Sequence, residues 1–331
     1  MKTGDEANID NREKKVTVII PCYNCESLVG ETLQSLCNQT YKNFEVICVN
    51  DGSVDNTLEV LKEWQQKELC IHIIDQPNSG VSAARNRAIQ EVVSKYILFL
   101  DADDAYHPEY IERLVCAIEK SGADVAYCKL NREKDVVYSC SAKDEPYVLQ
   151  VQAEIMNNLL YRMWEFGFYC YIYKTEILRN IQLEFDINTK FGEDREFNWK
   201  YICHCQNAAY IDAPLYWYRI NNNSATKGKA SWRQTDVLAA VKRIEEYLAE
   251  QKCDYSTEFN SYMYARAMWS VAKTFAVSGN KELYKRLIKE FDVRKCMKRT
   301  AKDNSKMVAL ASKIYLIRPM MFYYIIRLKK S

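Results

Sequence analysis

Apolar and polar positions alternate in blocks along the first half of the chain. Four short apolar or β-branched runs predict buried strands, at residues 16–20, 44–49, 71–74 and 96–100. The stretches that follow them predict helices, at residues 26–37, 55–66, 82–94 and 108–120. Continuous apolar runs are typical of strands covered on both faces, and strand–helix alternation at this interval indicates a mainly parallel sheet flanked by helices. We therefore expect an α/β fold.

The second half is less regular and ends in helical periodicity. Its pattern predicts helices at residues 154–161 and 195–203, a strand at 168–173, and strands within 210–218, interrupted by Pro214. After Ser231 the period is helical, at residues 231–248, 259–277 and 281–291. We expect a polar extension at residues 1–15, an α/β domain at 16–226 and a helical C-terminal region with a basic amphipathic tail at 227–331.

Composition narrows the class of protein. Hydrophobic residues make up 48% of the chain and charged residues 27%, as in proteins that fold around a core. The longest uncharged stretch near the C-terminus, residues 319–326, is far shorter than the roughly 18–20 apolar residues that span a bilayer. Residues 1–15 are polar and mixed in charge. We expect neither a standard secretion signal nor an integral membrane protein.

The cysteines suggest two chemistries that the rest of the sequence does not favour. Cys22 and Cys25 have redox-motif spacing, and Cys203 and Cys205 flank a histidine in a way that hints at a metal site. No second pair lies at zinc-finger spacing, and the chain has only 3 histidines beside its 13 cysteines. We interpret most of the cysteines as reduced and buried small hydrophobic residues, with a redox or zinc site as the alternatives.

Three polar clusters follow predicted strands, at residues 21–24, 50–53 and 101–103. Ligands bind at the carboxyl ends of strands in such sheets, so we expect these clusters to meet at one edge. Asp101 and Asp103 offer hard oxygen ligands of the kind that Mg²⁺ or Mn²⁺ prefers when substrate phosphates complete its shell. An isolated Asp-x-Asp is more often a loop or capping pair, and the neighbouring Asp104 is interpreted as a helix cap. The strand before the pair and the Pro108-led helix after it favour the metal site.

Eight segments together resemble the family 2 glycosyltransferases, which have a GT-A fold. They are residues 18–24 (VIIPCYN), 35–40 (SLCNQT), 49–57 (VNDGSVDNT), 78–86 (NSGVSAARN), 99–104 (FLDADD), 173–178 (YKTEIL), 191–194 (FGED), and 218–219 (YR) with Ser224 and Thr226. The resemblance covers about residues 16–226. It implies a GT-A, Rossmann-like mixed sheet, mainly parallel, with a nucleotide-binding half at 16–125 and an acceptor half at 126–226. It also implies inverting sugar transfer from a nucleotide-sugar, with Mn²⁺ or Mg²⁺ as cofactor.

The resemblance implies a donor site in the first half. Asp51 corresponds to the acid that accepts the N3 hydrogen of uracil, which favours a UDP-sugar. Pro21 and Tyr23 can pack on the base, beside Asn24, and the family places Arg85 near the base and phosphates. From the residues alone, Asp51 is also compatible with a turn of the Asp-Gly type, and Arg85 with the surface of a helix.

The resemblance also names the metal ligands and the catalytic base. Asp101 is similar to the ribose-contacting acid that adjoins the metal, and Asp103 to the metal ligand itself. Asp194 is similar to the base that takes the proton of the acceptor hydroxyl, and Glu193 to a residue that supports the acceptor site or its loop. As residues that open a helix, Glu193 and Asp194 are equally typical of helix caps.

The acceptor site is less specified. An aromatic-rich stretch precedes the Glu-Asp pair, and we expect Trp164 and Glu165 to contact the acceptor, while most of the aromatic residues belong to the core. Family members often have a histidine where this chain has Asn221. Metal coordination from that loop is therefore not expected, although Asn221 or Ser224 can reach a phosphate.

Other classes fit the sequence less well. A nucleotidyltransferase would need a Gly-rich, basic phosphate loop, which residues 21–24 do not offer. The alternative that we retain is a catalytically silent nucleotide-sugar-binding or scaffold protein of the same fold, although it would be expected to lack Asp103 or Asp194. A nucleic-acid binder is disfavoured because the basic residues concentrate in the tail and the body is net acidic.

The tail indicates where the protein works. From Arg294 onward there are eleven Lys and Arg residues and one acid, Asp303. Apolar residues interleaved with cations are typical of a segment that lies on an anionic membrane, the alternative being a terminal helix pair packed on the domain. We expect a cytoplasmic enzyme attached to the inner face of the cytoplasmic membrane. Its acceptor would be a glycan or an undecaprenyl-type lipid-linked glycan in surface polysaccharide assembly.

Overall fold

A computed structural model describes residues 15–67, 69–140, 147–161, 165–220, 230–253 and 256–328. The predicted N-terminal extension (apart from Lys15), the predicted boundary at residues 226–227, and Trp164, Asn221, Ser224, Thr226, Lys329 and Lys330 lie outside the described residues.

The strands of the described residues form one mixed sheet. They are β1 (Val16–Cys22), β2 (Phe44–Asp51), β3 (Ile71–Gln76), β4 (Tyr96–Phe99), β5 (Ala105–Tyr106), β6 (Val125–Asn131), β7 (Val148–Val151), β8 (Tyr171–Lys174) and β9 (Asn207–Trp217). Their order is β3-β2-β1-β4-β8-β6-β9-β5, with β7 paired to β9. Strands β1 to β4 pair in parallel, as do β6 and β9, whereas β8, β5 and β7 pair antiparallel to their neighbours. The predicted fold class, an α/β mixed sheet flanked by helices, is confirmed.

Helices flank the sheet, and the regular elements that the structure describes after β9 are all helices. Those of the α/β part are α1 (Val29–Cys37), α2 (Thr57–Gln65), α3 (Val81–Glu91), α4 (Tyr110–Ser121), α5 (Lys134–Tyr138), α6 (Gln152–Tyr161), α7 (Thr175–Asn180) and α8 (Glu193–Ile202). The C-terminal helices are α9 (Asp236–Glu250), α10 (Ser256–Val277), α11 (Lys281–Glu290), α12 (Val293–Thr300), α13 (Lys306–Ile317) and α14 (Pro319–Leu328).

Two local predictions in the second half need correction. Residues Phe168–Cys170 form a 3₁₀ turn, and the strand predicted at 168–173 begins only at Tyr171. Strand β9 runs through Pro214 without a break, because the register of its partner β6 shifts on both sides of Lys129. A bulge of this kind accommodates a residue that has no N–H to donate to the ladder.

The C-terminal helices pack on the α/β part through α9 and around α10. Helix α10 contacts α9, α11, α12 and α14, and α9 contacts α8. Burial follows helical spacing: in α12 the buried residues are Val293, Cys296, Met297 and Thr300. At the junction, the ring of Trp199 in α8 lies 4.6 Å from that of Phe259 in α10. Within the described part of the chain, we find no helix long and apolar enough to cross a membrane.

The turn after β2 depends on Gly52. Its φ is +68°, in the left-handed region, and a Cβ placed on it would lie 2.5 Å from the backbone nitrogen of Asn78. Gly52 is therefore required both for its backbone conformation and for the close approach of the segment after β3.

We predict that Gly52→Ala destabilises the fold by more than Gly122→Ala. Gly122 has nearly the same φ, +69°, but a Cβ there meets nothing within 4 Å. The left-handed conformation alone costs about 1–2 kcal/mol with a side chain, and a forced backbone shift adds about 1–3 kcal/mol. Urea unfolding of both variants measures the difference, and equal free energies of unfolding would contradict the close-approach argument.

Candidate functional site

The polar clusters meet because their strands are neighbours. Strand β1 pairs in parallel with β2 on one side and with β4 on the other. The residues that follow these strands therefore leave the same edge of the sheet, as expected from the sequence. Pro21 is the residue before the last in β1, where it pairs with Val49 of β2, and Asp51 is the last residue of β2.

Asn24 ties the first loop to the second. Its φ is +47°, and its backbone N–H donates to Ser53 Oγ at 3.1 Å. Its side-chain Oδ1 accepts from the backbone N–H of Val54 at 2.9 Å. Beside it, the Tyr23 side chain is 53% exposed. Asn24 thus orders the loop, and Tyr23 offers its ring to solvent.

The Asp51 carboxylate is buried and held by three donors. Oδ1 accepts from Gln76 Nε2 at 2.8 Å and from the backbone N–H of Ser79 at 2.9 Å, while Oδ2 accepts from the backbone N–H of Gly80 at 2.8 Å. A cleft of about 430 Å³ opens next to this turn. Its lining includes Asn50, Gly52, Ser53, Asp75, Gln76 and Pro77. The carboxylate is therefore fixed in place at the side of an open cleft.

Arg85 lies deeper than expected for a helical surface residue. It is 4% exposed, and its guanidinium carbon lies 4.5 Å from the Phe168 ring centroid and 5.2 Å from that of Phe185. Nη2 donates to Asp101 Oδ1 at 2.8 Å, and Nη1 lies 3.9 Å from Glu193 Oε1. One guanidinium therefore bridges the loop after β4 and the start of α8.

The loop after β4 separates its three acids. The side chain of Asp101 is 28% exposed and Asp103 is partly exposed, whereas Asp104 is 1% exposed. The hydroxyl of Thr32 in α1 donates to the carbonyls of Ala102 and Asp104, at 2.9 and 2.8 Å, which fixes the loop backbone. Two carboxylates thus reach the solvent side while the third turns inward.

The prediction that Asp104 caps a helix is wrong. Helix α4 begins at Tyr110, with Glu109 before it. The Asp104 carboxylate instead accepts from Tyr216 Oη at 2.7 Å and from the backbone N–H of Arg219 at 2.8 Å. Burial, together with the charges of Asp101 and Asp103, raises the pKa of Asp104 well above its usual range. Asp104 anchors the end of β9 to the acidic loop.

Glu193 and Asp194 open α8 after Gly192, whose φ is +98°. The Asp194 Oδ1 accepts from the backbone N–H of Arg195 at 2.7 Å, a helix-terminus contact that suits a carboxylate. Burial, and next the charge of Asp194, raise the pKa of Glu193 to about 7, against the opposing effect of Arg85. Glu193 is thereby able to change its charge near neutral pH.

The remaining candidates are less closely placed. The Glu165 carbonyl accepts from the backbone N–H of Leu130 at 3.0 Å, which sets Glu165 beside β6. In the aromatic-rich stretch before Glu193, most aromatic residues were predicted to belong to the core. The buried ones include Phe166, Phe168, Tyr171 and Tyr173.

Sequence reasoning did not single out two groups near the acids. The rings of Phe168 and Phe185 contact the Arg85 guanidinium, and their local sequence does not predict this contact. Tyr218 lies in the Tyr-Arg segment, which was a usable signal. Burial and the charges of Asp104, Asp101 and Asp103 raise the pKa of Tyr218.

The described residues supply only part of a metal shell. Across them, no group of three or more His, Cys, Asp or Glu side chains is arranged to hold a metal ion. The oxygen ligands of Asp101 and Asp103 nevertheless fit Mg²⁺ or Mn²⁺, which are commonly bound by one or two carboxylates while substrate phosphates and water complete the octahedron. The cysteines form no disulfide bond, and within the described residues none belongs to a group of three or more possible metal ligands.

Comparisons with known proteins agree on one family. A model described as Glycosyl transferase family 2 matches residues 17–211. The chain is 34% identical over 242 residues to glycosyltransferase GlyA of Streptococcus pneumoniae serotype 4. This alignment covers 70% of this chain and 34% of GlyA. The chain thus spans about a third of the length of this relative.

Solved structures agree on the fold. The crystal structure of Staphylococcus aureus TarS 1–349 in complex with UDP-GlcNAc has a TM-score of 0.70 at 20% identity, covering 95% of this chain and 90% of that one. The mannosyltransferase PcManGT of Pyrobaculum calidifontis, in complex with GDP-Man and Mn²⁺, has a TM-score of 0.53 at 14% identity, covering 92% and 87%. With its acidic edge, its Gly-Glu-Asp helix start and a family match over most of the sheet, the chain belongs to glycosyl transferase family 2 and has the GT-A fold of that family.

Proposed function

We propose that this chain transfers one sugar from a UDP-sugar to a hydroxyl of a glycan or lipid-linked glycan acceptor in surface polysaccharide biosynthesis, with inversion at the anomeric carbon. The observation that carries the proposal is the Arg85 bridge. It holds Asp101 at 2.8 Å and Glu193 at 3.9 Å, so the acids proposed for the donor and for the acceptor face one space.

The donor side is argued from Asp51 and the first loop. A carboxylate fixed by three donors still has oxygen lone pairs to accept from the uracil N3–H. The exposed ring of Tyr23 can stack on the base beside Pro21, while Asn24 keeps the loop in place. The likeness to TarS crystallised with UDP-GlcNAc supports the uridine nucleotide.

Asp103, with Asp101, would hold the divalent cation, Mn²⁺ or Mg²⁺. When bound, the cation would neutralise charge on the diphosphate leaving group. The chain's own contribution is to hold the carboxylates: Thr32 fixes the loop backbone, and Arg85 orients Asp101. The complex of PcManGT with Mn²⁺ supports the choice of metal.

Asp194 is proposed to be the base. As the acceptor oxygen attacks the anomeric carbon, its proton would pass to the Asp194 carboxylate, and the bond to the nucleotide diphosphate would break. The backbone N–H of Arg195 holds the Asp194 carboxylate at the start of α8, and the largely buried Glu193 beside it would bind the acceptor or order its loop. Trp164 and Glu165 remain proposed acceptor contacts.

The alternative is a catalytically silent nucleotide-sugar-binding or scaffold protein of this fold. Both acids that turnover would require, Asp103 and Asp194, are present in the chain. Release of nucleotide from a panel of UDP-sugars and GDP-sugars, with and without Mn²⁺, separates the two functions, because a silent protein would bind a donor without consuming it.

We predict that Asp103→Ala abolishes turnover and the enhancement of UDP binding by Mn²⁺. The control is Asp135→Ala, an exposed acid of α5, which should leave both unchanged. Calorimetric titration with UDP, with and without Mn²⁺, measures the effect, and thermal unfolding checks the fold. Metal-enhanced UDP binding that survives in Asp103→Ala would refute the assignment.

We predict that Asp194→Asn retains donor binding while transfer falls by about 10²–10⁴-fold, the usual contribution of a positioned base. The amide is nearly isosteric with the carboxylate but cannot take the proton. Steady-state rates and UDP-sugar affinity are measured side by side. A variant with weak donor binding and near-normal turnover would place Asp194 in the donor site instead.

The tail supports a proposal about location. Helices α13 and α14 bury Tyr315, Phe322 and Tyr323 among the other C-terminal helices, as the packed-pair alternative predicted. Their outer positions form what we call the tail surface: Met307, Leu310, Ile317, Met321, Tyr324 and Leu328, each 41–74% exposed.

The charges carried by α13 and α14 themselves have one sign. Lys306, Lys313, Arg318 and Arg327 are exposed along the tail surface, and the chain has no acid after Asp303. Asp303 itself is 2% exposed and lies 3.5 Å from Arg266. Such a surface fits an anionic membrane, where a lipid-linked acceptor would be confined. We therefore propose peripheral attachment at the inner face of the cytoplasmic membrane.

We predict that the double variant Leu310→Glu, Ile317→Glu weakens binding to phosphatidylglycerol vesicles by more than tenfold, because burying one such side chain is worth about 1.5–3 kcal/mol. Val93→Glu, at a side chain 64% exposed in the α/β part, is the control and should bind as the parent protein does. Co-sedimentation at constant salt measures the affinities. No binding by the parent, or equal binding by all three, would dispose of the membrane proposal.

A further inference from the structure

An ion pair between the buried Glu196 and the partly exposed Arg243 joins the helix that carries the proposed base to the C-terminal helices. Glu196, on α8, has a side chain that is only 5% exposed. Arg243, on α9, donates from Nε to both carboxylate oxygens of Glu196, at 3.0 Å each, and from Nη2 to Oε2 at 2.6 Å. A planar guanidinium held in this way fixes orientation as well as distance.

The same guanidinium also holds the loop that leads into the base. Nη2 lies 2.8 Å from Asp186 Oδ2 and donates to Thr189 Oγ1 at 2.6 Å. The Thr189 hydroxyl in turn donates to Asp186 Oδ2 at 2.9 Å. Arg243 therefore ties residues on both sides of Gly192 to α9.

Packing at Gly192 reinforces this arrangement. A Cβ on Gly192 would lie 3.1 Å from Val237 Cγ2 and 3.2 Å from Ala240 Cβ, so the turn rests directly on α9. The backbone N–H of Lys190 donates to Asp236 Oδ2 at 3.2 Å. The α9 residues that make these contacts all lie after residue 211, which is the last residue that the model of glycosyl transferase family 2 matches.

We propose that Arg243 is a positioning residue for sugar transfer: from outside the matched domain it sets the place of the Gly192 turn, and with it the place of Asp194. The proposal rests on the function proposed above. Stability alone is a poor account of the pair, because ion pairs with a solvent-exposed partner contribute little to the free energy of folding. Geometry is the better account, since a displacement of about 1 Å in a catalytic group can lower a rate by about 10²-fold.

The test compares Arg243→Met, Arg243→Lys and Glu196→Gln in the full chain. The control is Arg299→Met on α12, where the guanidinium lies 5.3 Å from the Tyr262 ring centroid. For each variant we would measure kcat, the donor KM, UDP affinity, thermal unfolding and amide hydrogen exchange of residues 193–196.

We expect Arg243→Met to lower kcat by about 10–100-fold while UDP affinity changes by less than about threefold, a split that general loss of folding would not produce. Exchange at residues 193–196 should accelerate, Arg243→Lys should fall between Met and the parent, and Arg299→Met should change neither readout. Glu196→Gln keeps the side-chain shape and also removes the Lys200 ion pair at 2.7 Å; together with Lys200→Met as its control, it reports on the Arg243 contact if Arg243→Met fails to fold.

Two results would overturn the proposal: an unchanged kcat in Arg243→Met and Glu196→Gln, or unchanged hydrogen exchange at residues 193–196. If the parent protein turns over no donor at all, the proposed function fails. Hydrogen exchange still decides whether Arg243 holds the start of α8.

Discussion

Carboxyl groups crowd the edge of the sheet, and guanidinium groups hold them in place. The buried guanidinium of Arg85 contacts Asp101 and Glu193, and Arg195 interacts electrostatically with Asp194. Burying a guanidinium is costly unless it is paired, and the Phe168 and Phe185 rings add a favourable face on each side. Burial, and next the charges of neighbouring carboxylates, raise the pKa of both Asp104 and Glu193.

An edge rich in carboxyl groups suits a site that binds an anionic donor together with a cation. Without added cations, buried carboxyl groups relieve their repulsion by taking up protons, as the raised pKa of Glu193 indicates. A divalent ion beside Asp103 would relieve it without protons and would keep Glu193 ionised to a lower pH. On the function proposed above, cation binding at the β4 loop would then be linked through Arg85 to the charge of Glu193 on α8.

Much of the first half was predictable because its signals are local. Apolar runs define β1 to β4, the parallel pairing follows from the intervening helices, and the acids after β2 and β4 then share an edge. Where a residue's partner is distant in sequence, prediction failed. Asp104 has the local pattern of a helix cap, but its partners, Tyr216 and Arg219, come from the far end of β9.

The same reasoning explains what the sequence did not reveal on the acceptor side. Strand β6 lacks a clear flanking signal and is specified by its neighbours β8 and β9. Arg243 resembles any other cation on an amphipathic helix, and its role depends on how α9 meets α8. The helical region after residue 230 was expected as an appendage with a basic tail, whereas α9 and α10 also complete the packing behind the Glu-Asp pair.

Because Gly192 has no side chain, its turn packs closely against α9, and this limits how the two elements can change in evolution. Between this turn and α9 there is no room even for a methyl group without some adjustment, so the two surfaces cannot change independently. Grafting the C-terminal helices of one relative onto the sheet of another would have to reproduce this contact closely. A substitution in α9 would in turn move the start of α8 without any change in α8 itself. On the function proposed above, the placement of Glu193 and Asp194 is thereby open to selection through a helix that carries neither acid.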